Sequence, residues 1–121
     1  MSITITQLHD LVAEVEASGP RRVQRCRTAG WRMPPNTVYV GRPSRFANPF
    51  PITGGNAKVA VAYFRNHLAA RPDLAADIRA QLVGRNLACW CARFDTAGLR
   101  VLCHADMLLV VAKGWGLHDF I

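Results

Sequence analysis

The sequence predicts a small single-domain α/β (or α+β) fold, a sheet of a few strands flanked by three or four helices. Three observations predict it. The runs TVYVG (residues 37–41) and NLACW (residues 86–90) are β-branched, aromatic or alternating small and large apolar residues, the composition of short buried strands. Four other stretches carry apolar residues at helical spacing, and two of them lie between those strands. The chain has 121 residues and is 50% hydrophobic, enough to bury one core without staples. Within residues 1–121 it divides into a helical segment over 1–19, a core over 20–113 and an apolar tail over 114–121 expected to dock.

The first helix is marked by Leu8, Leu11, Val12 and Val15, which fall at i, i+3, i+4 and i+7 on one stripe. Thr6 is placed to cap it and Gly19-Pro20 to end it. Asp10, Glu14 and Glu16 put three of the eight acids here, apart from the basic face, and His9 beside the stripe is read as structural. In residues 21–36, Val23 and Cys26 alternate inward from an edge strand while Arg22 and Arg25 face out. Trp31 either stacks on a base or covers the edge of the core. After TVYVG, residues 42–56 hold too much Pro, Gly and Asn for regular structure, and so long a loop in a small domain is commonly functional. The helix over residues 57–71 buries Val59, Ala62 and Tyr63 or a neighbouring register, and turns Arg65 and His67 outward. Pro72 opens another, with Asp73 in its first turn, Leu74, Ile78 and Leu82 inward and Gly84 past its end. Beyond NLACW, a turn at Thr96-Ala97-Gly98 leads to a short return strand over residues 99–102. The last helix is short and buried, because MLLVVAK is apolar up to its terminal cation.

Charge narrows the function. The formal net charge is +7, and thirteen of the fifteen cations are arginine. Residues 17–72 contain no acid, yet they hold Arg21, Arg22, Arg25, Arg27, Arg32, Arg42, Arg45, Lys58, Arg65 and Arg71. Basicity segregated in this way marks an anionic partner, nucleic acid or nucleotide phosphates before a membrane surface, and arginine favours bidentate phosphate contacts. The plainer account is coding bias with ordinary solubility. No apolar run approaches the roughly 20 residues of a membrane span. MSITITQLHD lacks the layout of a signal peptide, so the expected location is the cytoplasm. Four reduced cysteines there point to metal, catalysis or burial before disulfides.

The chemistry concentrates in residues 87–113. On a strand, Cys89 and Cys91 look one way and Trp90 the other, while Cys103, His104, Ala105 and Asp106 form the first turn of the last helix. Two thiols at a strand end can therefore converge with a Cys-His-x-Asp helix start. Three readings stay open. In the first, Cys89, Cys91, Cys103 and His104 bind zinc as a tetrahedral set, with the helix N-terminus and basic surroundings favouring thiolates. In the second, Cys103 or His104 is catalytic without metal, Asp106 orients the imidazole, and Arg42 or Arg45 holds an anion. In the third, the cysteines are core residues and Asp106 belongs to a capped helix start. Arg42, Ser44, Arg45 and Asn48 form a donor set for an anion, with Phe46 and Phe50 anchoring their loop and the amides after Gly54-Gly55-Asn56 adding a helix N-terminus. If that loop lies over the helix start, Arg42 or Asn48 stands within roughly 10 Å of His104 and one pocket joins them. Cys26 has no ligand spacing, and His118 in the tail is a further ligand candidate.

The motifs VYVGRPSRFANPF, LACWC and CHADMLL, in that order, resemble the domain of unknown function 4326, a family of small proteins of bacteria and their bacteriophages. The likeness spans residues 22–112 and marks Gly41, Arg42, Ser44, Asn48, Pro49, Cys89, Cys91, Cys103, His104 and Asp106. Phe46-Ala47 stands where the family has an aromatic residue and glycine, a costlier sequence if the turn is left-handed. The loop from Cys91 to Cys103 is also longer and poorer in proline than the family pattern. The family name implies no activity. The expected function is therefore a cytoplasmic bacterial or phage domain that binds or acts on nucleotides or nucleic acid through its basic loop and Cys/His cluster. The alternatives are a zinc-stabilised nucleic-acid-binding module without catalysis and a host-protein interaction factor. An enzyme needs a concave pocket joining Arg42, Asn48 and His104, a binding module a convex basic stripe with exposed Trp31, and an interaction factor an apolar surface patch.

Overall fold

The computed structural model describes residues 5–50 and 57–114. In chain order the elements are α1 (Ile5–Ala17), β1 (Arg22–Gln24), β2 (Thr37–Tyr39), α2 (Ala57–Ala69), α3 (Pro72–Leu82), β3 (Asn86–Cys89) and α4 (His104–Ala112). The three strands form one parallel sheet in the order β1-β3-β2, so the fold is a small α/β unit. The apolar run NLACW becomes its central strand because it has little polar surface to offer solvent on either face: Leu87 and Ala88 are fully buried. Leu87 stands level with Arg22 on one side and Val38 on the other. Asn36, which follows Pro34-Pro35, takes a left-handed φ of 55° that asparagine tolerates. Its side-chain amide donates to the Gly84 carbonyl at 2.9 Å and its own carbonyl accepts from Asn86 N at 2.9 Å, which sets β2 beside the start of β3.

All nine residues of α4 are buried, as a helix that is apolar on every side requires. It packs against α1, α2, α3, β1 and β3 and forms the centre of the core. The α1 stripe is buried at Leu8, Val12 and Val15, and the α3 stripe at Leu74, Ile78 and Leu82. On α2 the inward register is Ala60, Val61, Phe64 and Leu68, while Val59 and Tyr63 are exposed. The stripe with Phe64 and Leu68 buries more apolar area than the one through Tyr63, whose hydroxyl would need a buried partner.

Several expectations need correction or fall outside the described chain. The first helix already runs from Ile5, and the side chain of Thr6, its expected cap, lies outside the described residues, as do Gly54-Gly55-Asn56 and the tail with His118. The return strand over 99–102 contracts to one antiparallel bridge, Phe94 with Arg100. There, Asp95 Oδ1 accepts from both Ala97 N and Leu99 N at 2.9 Å, and Arg22 takes the Val101 carbonyl, so little is left for a ladder. Arg22 does not face out: it is fully buried under the start of α4. Ala47 avoids the cost expected of it, since Asn36 is the one non-glycine with positive φ among the described residues.

Glu16 at the end of α1 accepts from Arg22 N at 3.1 Å and pairs with Arg100, with Arg93 at 3.9 Å. Burial pushes its carboxyl up, but the Arg100 and Arg22 hydrogen bonds and the two guanidinium charges hold it below the usual carboxylate range. A depressed folded pKa stabilises above the unfolded value, and that contribution is lost as pH falls through the folded one. Glu16→Gln should therefore cost about 1.5–3 kcal/mol at pH 7, the range for hydrogen bonds to charged groups. Urea titrations from pH 7 to pH 3 should show the gap between parent and variant closing toward the acid end; a pH-independent gap would refute the account.

Candidate metal centre and ligand pocket

β3 ends at Cys89, and Cys103 is the N-cap of α4. Between them, one guanidinium closes the loop. Arg22 Nη2 donates to the Ala92 carbonyl at 2.6 Å, and Nη1 donates to the Val101 carbonyl at 2.7 Å and to Asp106 Oδ2 at 2.6 Å. With both loop ends tied to β1, Cys91 returns beside Cys89 and Cys103. The three sulfurs lie within 4.8 Å of one another, and those of Cys89 and Cys103 are 3.5 Å apart. Sulfurs bound 2.3 Å from one tetrahedral ion would be about 3.8 Å apart, so these three cysteines can hold a metal ion.

Hydrogen bonds from Cys103 and Cys89 outweigh burial and hold Cys91 down at about 2. The Cys103 hydrogen bond lowers Cys89, but Cys91 and burial push it up to about 11. Contact with Cys89 and Cys91, followed by burial, pushes Cys103 well above the usual thiol range. A cation bound here would displace the thiol protons and be held by the thiolates.

His104 is not a member of this group: among the described residues the clustered ligand atoms are the three sulfurs. Its Nε2 lies 2.9 Å from the Val40 carbonyl, and its ring meets Phe64 edge-on at 5.5 Å between centroids. A carbonyl only accepts, so Nε2 carries the proton and Nδ1 the lone pair. Burial lowers the His104 pKa more than the Val40 bond raises it, leaving a neutral ring. The expected zinc set therefore loses its fourth ligand.

The expected acid–base pair is also absent. Asp106 is fully buried, and its oxygens accept from Arg22, from Arg100 Nη2 at 2.7 Å and from Cys103 N at 2.8 Å. The last contact is half of a capping box, so Asp106 holds the helix start and the loop rather than the imidazole.

A pocket of about 450 Å³ opens over the thiols. Cys89, Cys91, Cys103 and His104 line it from the β3–α4 side, Gly41, Arg42, Ala47, Asn48 and Phe50 from the loop after β2, and Ala60 and Val61 from α2. Tyr39 and Trp90 complete the wall. Arg42 and Asn48 thus line the same pocket as His104. Asn48 serves as scaffold there, donating to the Ala60 carbonyl at 3.1 Å and accepting from Phe50 N at 2.9 Å. Ser44 and Arg45 do not line it: Ser44 Oγ accepts from Phe46 N at 3.0 Å, and Arg45 pairs with Asp77. Gly41 is needed because an added Cβ would lie 2.5 Å from the Tyr39 hydroxyl, which donates to the Arg42 carbonyl at 2.8 Å.

Sequence reasoning missed Tyr39 and Trp90 as lining residues, the Arg25 and Arg27 guanidiniums stacked on them, and Arg22 as the organiser of the loop. Arg25 N extends the β1–β3 pairing by bonding to the Cys89 carbonyl at 2.8 Å. That places Arg25 and Arg27, two residues apart in an extended chain, beside Trp90, and the Arg-x-Arg spacing was the available signal.

The family model for Domain of unknown function (DUF4326) matches residues 23–114, and the chain belongs to that family. No curated protein and no solved structure matches it. The family match contains the whole described lining of the pocket. No helix among the described residues is long and apolar enough to cross a membrane.

Proposed function

We propose that this protein binds a nucleotide-sized anionic ligand in the pocket above its three cysteines, that those cysteines hold zinc, and that it acts on the bound ligand. One observation carries the reading: a single cavity of about 450 Å³ contains Arg42 and Asn48 together with Cys89, Cys91, Cys103 and His104. A volume of this size is ordinary for a small-molecule site. Soft thiolate ligands at tetrahedral spacing favour zinc over magnesium or calcium. With three clustered sulfurs among the described residues, the fourth position is open to water or a ligand group, an arrangement found in catalytic sites rather than closed structural ones. The described lining has no carboxylate, so the neutral His104 imidazole, with Nδ1 unprotonated, is the natural proton acceptor beside the thiols. A concave pocket supports an enzyme over a non-catalytic nucleic-acid module, for which an exposed Trp31 was expected; Trp31 is half-buried. A cytoplasmic bacterial or phage setting belongs to the same proposal.

Two measurements test it. Protein purified without added zinc should contain about one zinc per chain by elemental analysis, matching one three-thiol site. Calorimetric titration at low salt should detect binding of adenosine or cytidine monophosphate. Metal-free protein would return the thiols to the core, and failure of both nucleotides to bind would sink the pocket reading.

A further inference from the structure

Around Tyr39 and Trp90, two rings of the pocket wall, four side chains from three segments form a stack that neither the metal cluster nor the fold requires. The Arg25 guanidinium lies 4.7 Å from the ring centroid of Tyr39 and 4.7 Å from that of Trp90, and the Arg27 guanidinium lies 4.8 Å from the Trp90 ring. Both rings line the pocket. Trp90 remains 41% exposed, too much for a residue kept only to fill the core. Arg27 and Arg42 are exposed and Arg25 half-buried, and none of the three has an acidic partner among the described residues. Arg22, Arg45, Arg71, Arg93 and Arg100 are paired with acids, whereas Arg21, Arg32 and Arg85 have no acidic partner among the described residues, so what sets Arg25 and Arg27 apart is their stacking on rings that line the pocket. Stacking on rings fixes a guanidinium's plane and leaves its N–H edges free for an anion.

We infer that Arg25 and Arg27, stacked on Tyr39 and Trp90 and joined by Arg42, form a phosphate-recognising rim, and that the ligand is a phosphorylated nucleoside bound base inward and phosphate outward. The inference rests on the pocket reading above and adds the ligand's class and its orientation. Polarity follows from chemistry at the two ends. The floor is thiol-rich, and three thiolates around a divalent ion carry a net negative charge, which disfavours a phosphate there. The wall is aromatic and aliphatic through Tyr39, Phe50, Ala60 and Val61, surfaces suited to a flat heteroaromatic ring. At the mouth, planar donors match phosphate oxygens bidentately. The same phosphate chemistry is available from a free mononucleotide and from the phosphorylated end of a single strand.

The test compares adenosine with adenosine 5′-monophosphate, and cytidine with its monophosphate, by calorimetry on the full chain. A 5′-phosphorylated tetranucleotide separates the two sources: tighter binding than the monophosphate identifies a strand end, equal or weaker binding a free nucleotide. Either result is compatible with the rim. The monophosphates should bind at least about tenfold more tightly than the nucleosides, an advantage that falls with salt. Arg27→Ala, an exposed change, and Arg25→Lys, which keeps the charge but loses the planar stack, should each remove most of that advantage while nucleoside affinity and metal content stay unchanged. Arg32→Ala, a cation exposed elsewhere, should leave the advantage intact. Nucleosides binding as well as monophosphates, an advantage that survives Arg27→Ala, or an equal loss in Arg32→Ala would each overturn the rim and leave the pocket standing. No binding of any nucleoside or nucleotide would overturn both.

Discussion

Asp106→Ala should destabilise the protein by about 3–5 kcal/mol, the cost of stripping one partner from a buried ion pair. Asp106 and Arg22 are both fully buried, and the carboxylate also binds Arg100 and the backbone of Cys103. Removing it leaves a guanidinium without its counter-ion in the core and takes the cap from α4, the helix at the centre of the packing. Asp106→Asn keeps one acceptor oxygen and should fall between variant and parent. Urea unfolding measures both, as a shift in midpoint at constant slope. A loss below about 1 kcal/mol for the alanine variant would mean that the Arg22–Asp106 pair is solvated rather than buried. The same experiment reports on the site, because Arg22 ties both ends of the loop between Cys91 and Cys103.

If the proposed zinc site is right, replacing Cys89, Cys91 or Cys103 singly with serine should abolish stoichiometric zinc, because each change removes one of the three sulfurs clustered among the described residues. Loss of an outer-shell partner costs roughly 10–100-fold in metal affinity, and loss of a direct ligand should exceed that. Cys26→Ser, an exposed thiol outside the cluster, should leave zinc unchanged. A chelator should lower the melting temperature of the parent and not of the three cluster variants, since a bound ligand stabilises only the state that holds it. Equal zinc in all four variants would place the metal elsewhere, and equal sensitivity to the chelator would separate it from these thiols. His104→Ala gives the complementary result: metal should be retained, because the imidazole is bonded to the Val40 carbonyl rather than grouped with the sulfurs.

Much of the architecture was legible because it is carried by local pattern. NLACW has apolar residues on both strand faces and became the central strand. The helix rich in Leu and Val is buried all round, and the stripes of α1 and α3 face inward where their period placed them. The grouping of Cys89, Cys91 and Cys103 followed from a strand end and a helix start lying close in the chain. Polar partners were not legible. His104 is bonded to a carbonyl 64 residues away, and Asp106 to a guanidinium 84 residues away. Periodicity says which face of an element turns inward, but not which distant group will arrive to meet it. A buried donor or acceptor must take whatever partner the assembled fold brings within bonding range. Arg22 could therefore look like a surface cation on an edge strand and prove to be the buried clamp of the loop. For the same reason, the stacking of Arg25 and Arg27 on Trp90 was decided only when β1 paired with β3. For α1, α3, α4 and β3 the sequence determined what the element is and which side it buries; the inward register of α2, the shortened return strand, and which charges neutralise one another were decided by tertiary packing.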